Sequence, residues 1–400
     1  MIKTPLSQLN VVIVGAGIAG SCAALALRQR GAQVTLLERS SQAIDAGAGL
    51  QIPSCATRVL RALGLGAQLD AIASVPAQLH FREAFSGRIV INGAPNNDQS
   101  DCPHYQAHRA DVHSMLLDSA TEQGAAVEWG ASVADVAQQK DVAIVSLDDG
   151  RQLRADLVIG ADGIRSTVRQ QLFGDQKAEF TGNIAYRAMI DASQLPRPVA
   201  AGVFLGPDAH FVIYPLRDGR CVNVVAQCRS ADWRDESWMA QGDREELRQT
   251  YAGWHEDVEL LLAAMQETYQ WGLFTRTPMA RWSIGRIGLI GDACHPSLPN
   301  LGAGAALAME DAYVLADLLA RFPDRPEHAF DILHKLRIKR CSKVQRVSRS
   351  NSELFHMRNP LRRWLTYRAL SLVTKALPRA IPRQLSWLQD YDASTVVESM

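Results

Sequence analysis

Two side chains that can exchange protons, His210 and Tyr214, lie four residues apart in a segment rich in β-branched and aromatic residues, 210–216. If this segment is a strand, both side chains point to the same face and can enter one cavity. Histidine, with an unperturbed pKa of ~6.5, suits a base or relay, and tyrosine can hold or pass a proton. Because an isolated pair of this kind is also typical of core packing, both interpretations stay open until the surrounding sequence is considered.

A glycine-rich turn near the start of the chain has the spacing of a dinucleotide-binding motif, since it follows a predicted short strand and opens a predicted helix. Gly15 permits the tight turn and Gly17 lets the backbone approach a pyrophosphate. Gly20, which follows Ala19, allows close packing of helix on strand, and the helix N-terminus supplies free N–H groups. Glu38 ends the second predicted strand, where a carboxylate can bond a ribose hydroxyl, so the motif favours an unphosphorylated ribose, as in FAD or NAD.

Two further turns place an aspartate directly after a predicted strand. Asp162 lies in residues 160–166, and Asp292 lies in residues 291–296. At such a strand end a carboxylate can face a ribityl or ribose hydroxyl. Either turn alone fits a purely structural role equally well, but the occurrence of both in this order points to a second set of contacts with the dinucleotide.

Composition and charge exclude several classes of protein. The 42 basic residues balance the 42 acidic ones, so nothing in the net charge indicates a nucleic-acid partner. The seven cysteines show no C-x-x-C or Cys/His ligand spacing, which predicts reduced thiols in a cytoplasmic protein and no metal site. We expect neither a signal peptide nor a membrane span, because the first strand begins within ten residues and no apolar run is long enough.

The order of predicted elements indicates an α/β fold with two interleaved domains. A Rossmann-like domain with a parallel sheet is expected over residues 1–180 and 280–330, and its strands include one at Leu153–Ile159. A β-rich substrate domain with antiparallel character is expected over 181–279. Residues 331–400 are expected to form a helical C-terminal region.

The C-terminal region is strongly basic. Between Lys335 and Arg383 there are fourteen Lys or Arg residues against one acidic residue, Glu353. Apolar residues at helical spacing in Ala329–Phe355 predict packing against the nucleotide domain. We therefore expect a structural or association element, possible homodimer formation included, rather than a membrane anchor. The alternative that stays open is that Leu361–Ala376 is an amphipathic basic helix that contacts lipid or a partner.

Taken together, these motifs resemble the single-component aromatic hydroxylase family of flavoproteins, the p-hydroxybenzoate hydroxylase type. The chain is most similar to the branch that contains salicylate hydroxylase, 3-hydroxybenzoate 6-hydroxylase and 6-hydroxynicotinate 3-monooxygenase. The resemblance runs from about Asn10 to Asp392. The segments that carry it are 15–20, 47–54, 108–113, 160–169, 185–191, 210–216 and 291–312.

The resemblance implies roles for particular residues. It implies that Asp162 serves both flavin and pyridine-nucleotide handling, and that Asp292 holds the ribityl chain. Gln51 is implied at the pocket shared by flavin and substrate. The remaining residues implied to bind the cofactor are Arg39, Arg109, Gly304 and Ala305. In this context His210 and Tyr214 are expected to be catalytic rather than packing residues.

The family's activity, carried over as an expectation, is FAD-dependent hydroxylation of a small phenolic or hydroxy-heteroaromatic acid with NADH or NADPH and O2. FAD is expected to be bound non-covalently. Gln51 and Asn300 stand where the hydroxynicotinate branch has histidine, which favours a salicylate or hydroxybenzoate type of substrate. Two alternatives stay open: an epoxidase or reductase of the same fold acting on lipid, and a nucleotide-binding protein without turnover.

Overall fold

The computed structural model of the chain describes residues 6–43, 48–76, 78–93, 101–231, 240–377 and 380–398. The strands of these residues are β1 (Asn10–Val14), β2 (Gln33–Glu38), β3 (Gly49–Ile52), β4 (Ala73–Ser74), β5 (His80–Glu83), β6 (Ile89–Asn92), β7 (Tyr105–His108), β8 (Ala126–Trp129), β9 (Val133–Gln139), β10 (Val142–Leu147), β11 (Gln152–Ala155), β12 (Leu157–Gly160), β13 (Glu179–Asp191), β14 (Gly202–Leu205), β15 (Ala209–Leu216), β16 (Cys221–Arg229), β17 (Ala240–Gln241), β18 (Tyr269–Thr275), β19 (Ser283–Ile284) and β20 (Ile287–Leu289).

The helices of the described residues are α1 (Ile18–Gln29), α2 (Ser54–Ala62), α3 (Gly66–Ile72), α4 (Arg109–Glu122), α5 (Thr167–Phe173), α6 (Arg244–Thr250), α7 (Glu256–Ala264), α8 (Gly304–Arg321), α9 (Pro326–Phe355), α10 (Pro360–Ala376) and α11 (Ala380–Gln389). Short 3-10 turns lie at Leu6–Gln8, Ala192–Gln194, Gly291–Ala293 and Pro299–Leu301.

A six-stranded sheet forms the centre of the cofactor domain, in the order β19-β20-β12-β1-β2-β8. Strand β1 pairs in parallel with β2 and with β12, and β12 pairs in parallel with β20. The apolar strands are buried because helices cover the sheet, and α1 and α8 belong to the same core as β1 and β12. The carboxyl ends of β1, β12 and β20 therefore meet at one edge, where the three predicted turns begin. This arrangement confirms the predicted α/β class.

The strand predicted at Leu153–Ile159 is in fact two strands, so that expectation is corrected. β11 belongs to a three-stranded antiparallel sheet with β9 and β10, whereas β12 belongs to the six-stranded sheet. The chain changes sheets at Asp156, whose carboxylate accepts a hydrogen bond from the Asn10 N–H at 2.8 Å. Leu153, Ala155 and Leu157 alternate with polar residues as they would in one strand, and this alternation hid the break at Asp156.

The β-rich domain is an eight-stranded sheet, in the order β17-β18-β13-β16-β15-β14-β5-β6. Its neighbours are antiparallel except that β14 and β5 pair in parallel. Strands β5 and β6 precede residue 180, so their predicted assignment to the cofactor domain is corrected. One sheet face packs on α6 and α7 through residues such as Phe211, Tyr186 and Tyr251.

The C-terminal helices differ in how they pack. Helix α9 buries Phe330, Leu333 and Val344 in the cofactor-domain core, as its helical spacing predicted. Helix α10 buries Tyr367 against the edge strand β6 and its neighbours, but much of its surface is exposed. Among the described residues, no helix combines the length and the apolar character that crossing a bilayer requires.

Candidate active site

The glycine turn has the geometry that its spacing predicts. Gly15 has φ +99°, and a Cβ there would lie 2.6 Å from the carbonyl oxygen of Ala161. A Cβ at Gly20 would collide with the carbonyl of Gly15, so neither position accepts a side chain. Space opens beside Gly17, where a Cβ would meet nothing within 4 Å, and no side chain caps the N-terminus of α1. These features leave room and free N–H groups for a pyrophosphate.

Glu38 lies against this turn, although it follows it by about twenty residues. Its carboxylate accepts hydrogen bonds from the N–H groups of Ala16 and Ser40, both at 3.0 Å. Arg39 is exposed immediately beyond it. The structure therefore brings the predicted ribose carboxylate and the pyrophosphate turn together at the end of β1.

Asp162 follows β12 and faces the same edge of the sheet. Its Oδ2 accepts a hydrogen bond from the Val168 N–H at 3.1 Å, whereas its Oδ1 is buried without a hydrogen-bond partner among the described residues. Burial raises the pKa of Asp162, while the Ser166 hydroxyl opposes that shift by hydrogen bonding. A buried carboxylate oxygen without a partner suits a ligand hydroxyl that would donate to it.

Asp292 and Arg109 lie close enough to interact. Surrounding protein atoms raise the pKa of Asp292, and the charges of His295 and Arg109 act in the opposite direction. The outer surfaces of both Asp292 and Arg109 are exposed. They can therefore contact a ligand that lies along this edge, and their predicted contact with FAD stays a prediction.

The start of α8 completes this edge. Gly302 has φ +61°, and a Cβ there would lie 3.2 Å from Oε1 of Gln51. Gly304 and Ala305 form the first turn of the helix, and no side chain caps it. On the other side, Ala19 approaches Gly291, where an added Cβ would lie 3.2 Å from the methyl group of Ala19. Ala19 thus packs α1 against the Asp292 turn, and the uncapped N–H groups of α8 can stabilise negative charge.

These residues fit FAD. A long dinucleotide would satisfy polar groups of the protein at several separate places. These are the N-termini of α1 and α8, which no side chain caps, the open space beside Gly17, and the buried Asp162 oxygen without a partner. Gly15, Gly17, Gly20 and Glu38 would hold the adenosine and pyrophosphate part. Asp292, Arg109 and the start of α8 would hold the flavin part.

His210 is buried in the eight-stranded sheet and takes part in a chain of hydrogen bonds. Its Nδ1 lies 2.7 Å from Nε2 of His356, and the Nδ1 of His356 lies 3.0 Å from Oδ1 of Asn183. The amide of Asn183 donates to the carbonyl oxygen of Thr181 at 3.0 Å, which fixes which end of the side chain faces His356. The ring of Phe355 packs edge-on against His210 at 5.2 Å.

This chain sets the tautomer of His210. Because Oδ1 of Asn183 only accepts, His356 must donate from Nδ1 and carry its lone pair on Nε2. His210 must then donate from Nδ1, which leaves a lone pair on its own Nε2. Burial lowers the pKa of His210 well below its ordinary value and the pKa of His356 to about 4, so both are neutral. His210 is therefore held neutral, with the nitrogen that can accept a proton or a hydrogen bond defined.

Tyr214 lies on the same face of β15 as His210, as the spacing predicted. It is buried beside Gly49, where an added Cβ would lie 2.5 Å from the phenolic oxygen. Its cross-strand partner Asn223 accepts a hydrogen bond from the Gly49 N–H at 2.7 Å. Burial raises the pKa of Tyr214, although a hydrogen bond with Asn223 opposes the shift. Tyr214 therefore keeps its proton and joins the sheet to the cofactor domain.

Arg187 belongs to this face, and the sequence reasoning missed it. The strand pairing puts Arg187 opposite Val225 and Val225 opposite Val212, which lies between His210 and Tyr214 on β15. Its guanidinium is buried and lies over the rings of Tyr269 and Trp271. Because neighbouring strands lie about 4.8 Å apart, Arg187 lies roughly 10 Å from β15. Along the strand direction it is level with Val212, between His210 and Tyr214. A basic residue inside the apolar strand 185–190 was the signal that could have identified it.

A buried ionic network supports the Asp292 turn from behind. His295 hydrogen-bonds to Asp311 at 2.5 Å, and Arg337 donates to Asp311 at 2.8 Å. Arg340 binds Glu310 with two hydrogen bonds and also donates to the carbonyl oxygens of Trp387 and Leu388. His295 is thus tied to Asp311 behind the Asp292 turn. Among the described residues, the side chains of Cys294, His295 and Asp311 form the one group close enough together to hold a metal ion. Arg337 already places a positive charge beside Asp311.

Comparisons with known proteins agree with this geometry. The model of the FAD binding domain family matches residues 8–346. A 3-amino-4-hydroxybenzoate 2-monooxygenase of Streptomyces platensis is 33% identical over 97% of both chains. A 3-hydroxybenzoate 6-hydroxylase of Polaromonas naphthalenivorans is 33% identical over 87% of this chain and 89% of its own. The structure of a salicylate hydroxylase substrate complex matches with a TM-score of 0.81 and 27% identity over 97% of both chains.

The cofactor edge, the opposing sheet and these relatives define a flavoprotein monooxygenase. The chain belongs to the FAD binding domain family, and within it to the FAD-dependent aromatic monooxygenases. The predicted family, the use of FAD and the enzyme class are thereby confirmed.

Proposed function

We propose that the chain uses NADH or NADPH and O2 to hydroxylate a small phenolic acid of the salicylate or hydroxybenzoate type in the cytoplasm. The observation that carries this proposal is the row of polar groups on one buried face of the eight-stranded sheet. His210, Arg187 and Tyr214 share this face, and Tyr214 lies against Gly49, on the strand that also carries Gln51. The cytoplasmic assignment is supported by the seven cysteines, none of which forms a disulfide.

Arg187 would bind the carboxylate of the acid. A guanidinium recognises a carboxylate through two parallel hydrogen bonds, and it does so most strongly where water is excluded. Arg187 is 4% exposed, and its guanidinium lies over the rings of Tyr269 and Trp271, away from bulk water. The site therefore favours an aromatic acid over a neutral phenol.

His210 and Tyr214 would act on the ring hydroxyl. Bound FAD supplies the oxygen-activating chemistry, and the protein must make the ring electron-rich, orient it and keep out water. The Nε2 lone pair of His210 would accept the phenolic proton, since the chain through His356 leaves that nitrogen unprotonated. Tyr214, which keeps its proton, would donate a hydrogen bond to the resulting phenolate.

The pyridine nucleotide would bind beside the Asp162 turn. A cavity of about 380 Å³ there is lined by Arg165, Arg169, Lys177 and Arg276, against one acidic residue, Asp175. This cationic lining complements the two phosphates of NADH or NADPH. Arg165 and Arg169 follow Asp162 closely in the chain, so a nucleotide bound here would approach the flavin from the side of the Asp162 turn.

A panel of aromatic compounds tests the proposal. Purified holoenzyme is assayed for NADH and NADPH oxidation with salicylate, 3- and 4-hydroxybenzoate and the hydroxynicotinates, and products are identified by mass spectrometry. We expect at least one hydroxybenzoate to stimulate oxidation and to gain one oxygen atom. Phenol and benzoate serve as controls that each lack one of the two groups recognised. Equal stimulation by phenol would exclude Arg187 as the carboxylate site.

A further inference from the structure

Helix α10 carries apolar residues on both of its faces. Tyr367 and Thr374 are buried against the body of the protein. On the opposite face, Leu361, Leu365 and Leu372 are 66%, 54% and 68% exposed. Their spacing of four and seven residues places them in one stripe along the helix. An apolar stripe of this length on a surface helix marks an interaction site, because water contact with it is unfavourable.

The stripe is bordered by cations and an aromatic ring. Trp364 is 51% exposed, and the guanidinium of Arg368 lies 5.6 Å from the centre of its ring. Arg362 and Lys375 are exposed on the same helix. The sequence has no acidic residue from 354 to 389, so positive charge on this face is not offset along the chain.

We propose that α10 lies on an anionic lipid surface, with its leucine stripe in the headgroup boundary and its cations on the lipid phosphates. This arrangement is that of an interfacial amphipathic helix, in which apolar burial and attraction to anionic lipid act together. Trp364 suits the boundary because its ring is apolar and its N–H is polar. The sequence predicted a structural role for the whole C-terminal region, and the packing of α9 in the core agrees with that role. The outward face of α10 has no such packing, and we assign it to lipid instead.

A second copy of the chain fits this face less well. A two-fold contact through the stripe would bring Arg362, Arg368 and Lys375 of one copy close to the same residues of the other. Like charges held together at an interface weaken association. Anionic lipid instead neutralises them, and the charge pattern therefore selects lipid over self-association.

Vesicle sedimentation tests the proposal with the FAD-loaded enzyme. Vesicles of phosphatidylcholine and phosphatidylglycerol at 3:1 are compared with pure phosphatidylcholine at 50 mM salt. We expect the enzyme to sediment with the anionic vesicles, and the double variant Arg368→Gln/Lys375→Gln to bind roughly 10- to 30-fold more weakly, since each cation near such a surface contributes about 1 kcal/mol. The triple variant Leu361→Ser/Leu365→Ser/Leu372→Ser should lose binding while it keeps its FAD.

A matched control uses an exposed apolar residue elsewhere. Ile284 is 47% exposed on β19, and Ile284→Ser should leave vesicle binding unchanged. Absence of sedimentation with anionic vesicles at 50 mM salt would overturn the proposal. It would also be overturned if the chain were dimeric and the triple leucine variant became monomeric, because a second copy would then cover the stripe.

Discussion

Replacing His356 by leucine tests how the active-site base is positioned. His356 accepts the Nδ1–H of His210 and donates to Asn183, and no other part is assigned to it in the reaction. Leucine has a similar volume and neither accepts nor donates. The change therefore removes the constraint on the His210 tautomer while it leaves His210 itself in place.

The size of the effect follows from the lost hydrogen bond. Without an acceptor, the buried Nδ1–H of His210 is left unsatisfied, which costs ~1–3 kcal/mol. The equilibrium shifts by that amount toward the tautomer that carries its proton on Nε2 and cannot accept one from substrate. At ~1.4 kcal/mol per factor of ten, product formation should fall by roughly 5- to 150-fold.

The assay compares hydroxylated product with NADH consumed, and FAD content is measured on the same sample. His356→Leu should lower the product yield per NADH and release the difference as H2O2, with FAD content unchanged. His356→Gln, which retains an acceptor and a donor, should recover much of the yield. His328→Leu is the matched control, since His328 lies on the same helix away from the sheet.

The pH profile separates positioning from packing. Burial holds the pKa of His210 well below its ordinary value and the pKa of His356 at about 4, so both histidines stay neutral at neutral pH. Product formation should therefore decline only in acid. Asn183→Asp puts a carboxylate beside His356, which raises the pKa of the pair, so the decline should begin at higher pH. Arg229 and Asp208 also face His356 with opposite effects and are unchanged. Wild-type yield and pH profile in both His356→Leu and Asn183→Asp would refute the reasoning.

Three other predictions concern single residues. Tyr214→Phe should lower the yield of hydroxylated product by roughly 100-fold or more while NADH oxidation continues and H2O2 is released. Product and peroxide assays measure both. An unchanged ratio of product to NADH consumed would make Tyr214 a packing residue. Arg187→Met should raise the KM for hydroxybenzoates by roughly 10- to 150-fold, from a charged hydrogen bond worth ~1.5–3 kcal/mol, without a comparable effect on kcat. Arg337→Met should lower the free energy of unfolding in urea by ~3–5 kcal/mol, because it leaves Asp311 buried without that partner.

The pH dependence of stability has a defined sign at Asp311. Burial raises its pKa, but His295 and Arg337 outweigh that effect and hold the pKa at about 2. The stabilisation is complete above the ordinary carboxyl pKa and is lost as the pH falls from about 4 to 2. In urea titrations at a series of pH values, Arg337→Met should lose this stabilisation at a higher pH than the wild type. An unchanged dependence of the unfolding free energy on acidic pH would contradict the role of Arg337.

The sequence predicted the cofactor edge well because its signals are local. Gly15 and Asp162 each follow a strand and Glu38 ends one, and the ends of neighbouring parallel strands meet at one edge of the sheet. The same-face placement of His210 and Tyr214 was also predictable from the two-residue period of a strand. The positions named for flavin and substrate contact remain predictions that binding experiments must test.

Other features depend on pairings that are distant in sequence. His356 meets His210 across 146 residues, and β5 joins β14 only because of the parallel register between them. Arg187 acquires its place from the register of two antiparallel pairs. No local pattern encodes such contacts, since they are chosen by packing of the whole chain.

The most direct test of the central claim is a reaction under ¹⁸O2 with FAD-loaded enzyme, NADH and the most stimulating hydroxybenzoate. The structure and the family predict that one ¹⁸O atom enters the aromatic ring and that removal of FAD abolishes this product. If every aromatic acid tested yields only peroxide, or if the oxygen in the product comes from water, the chain is not the monooxygenase described.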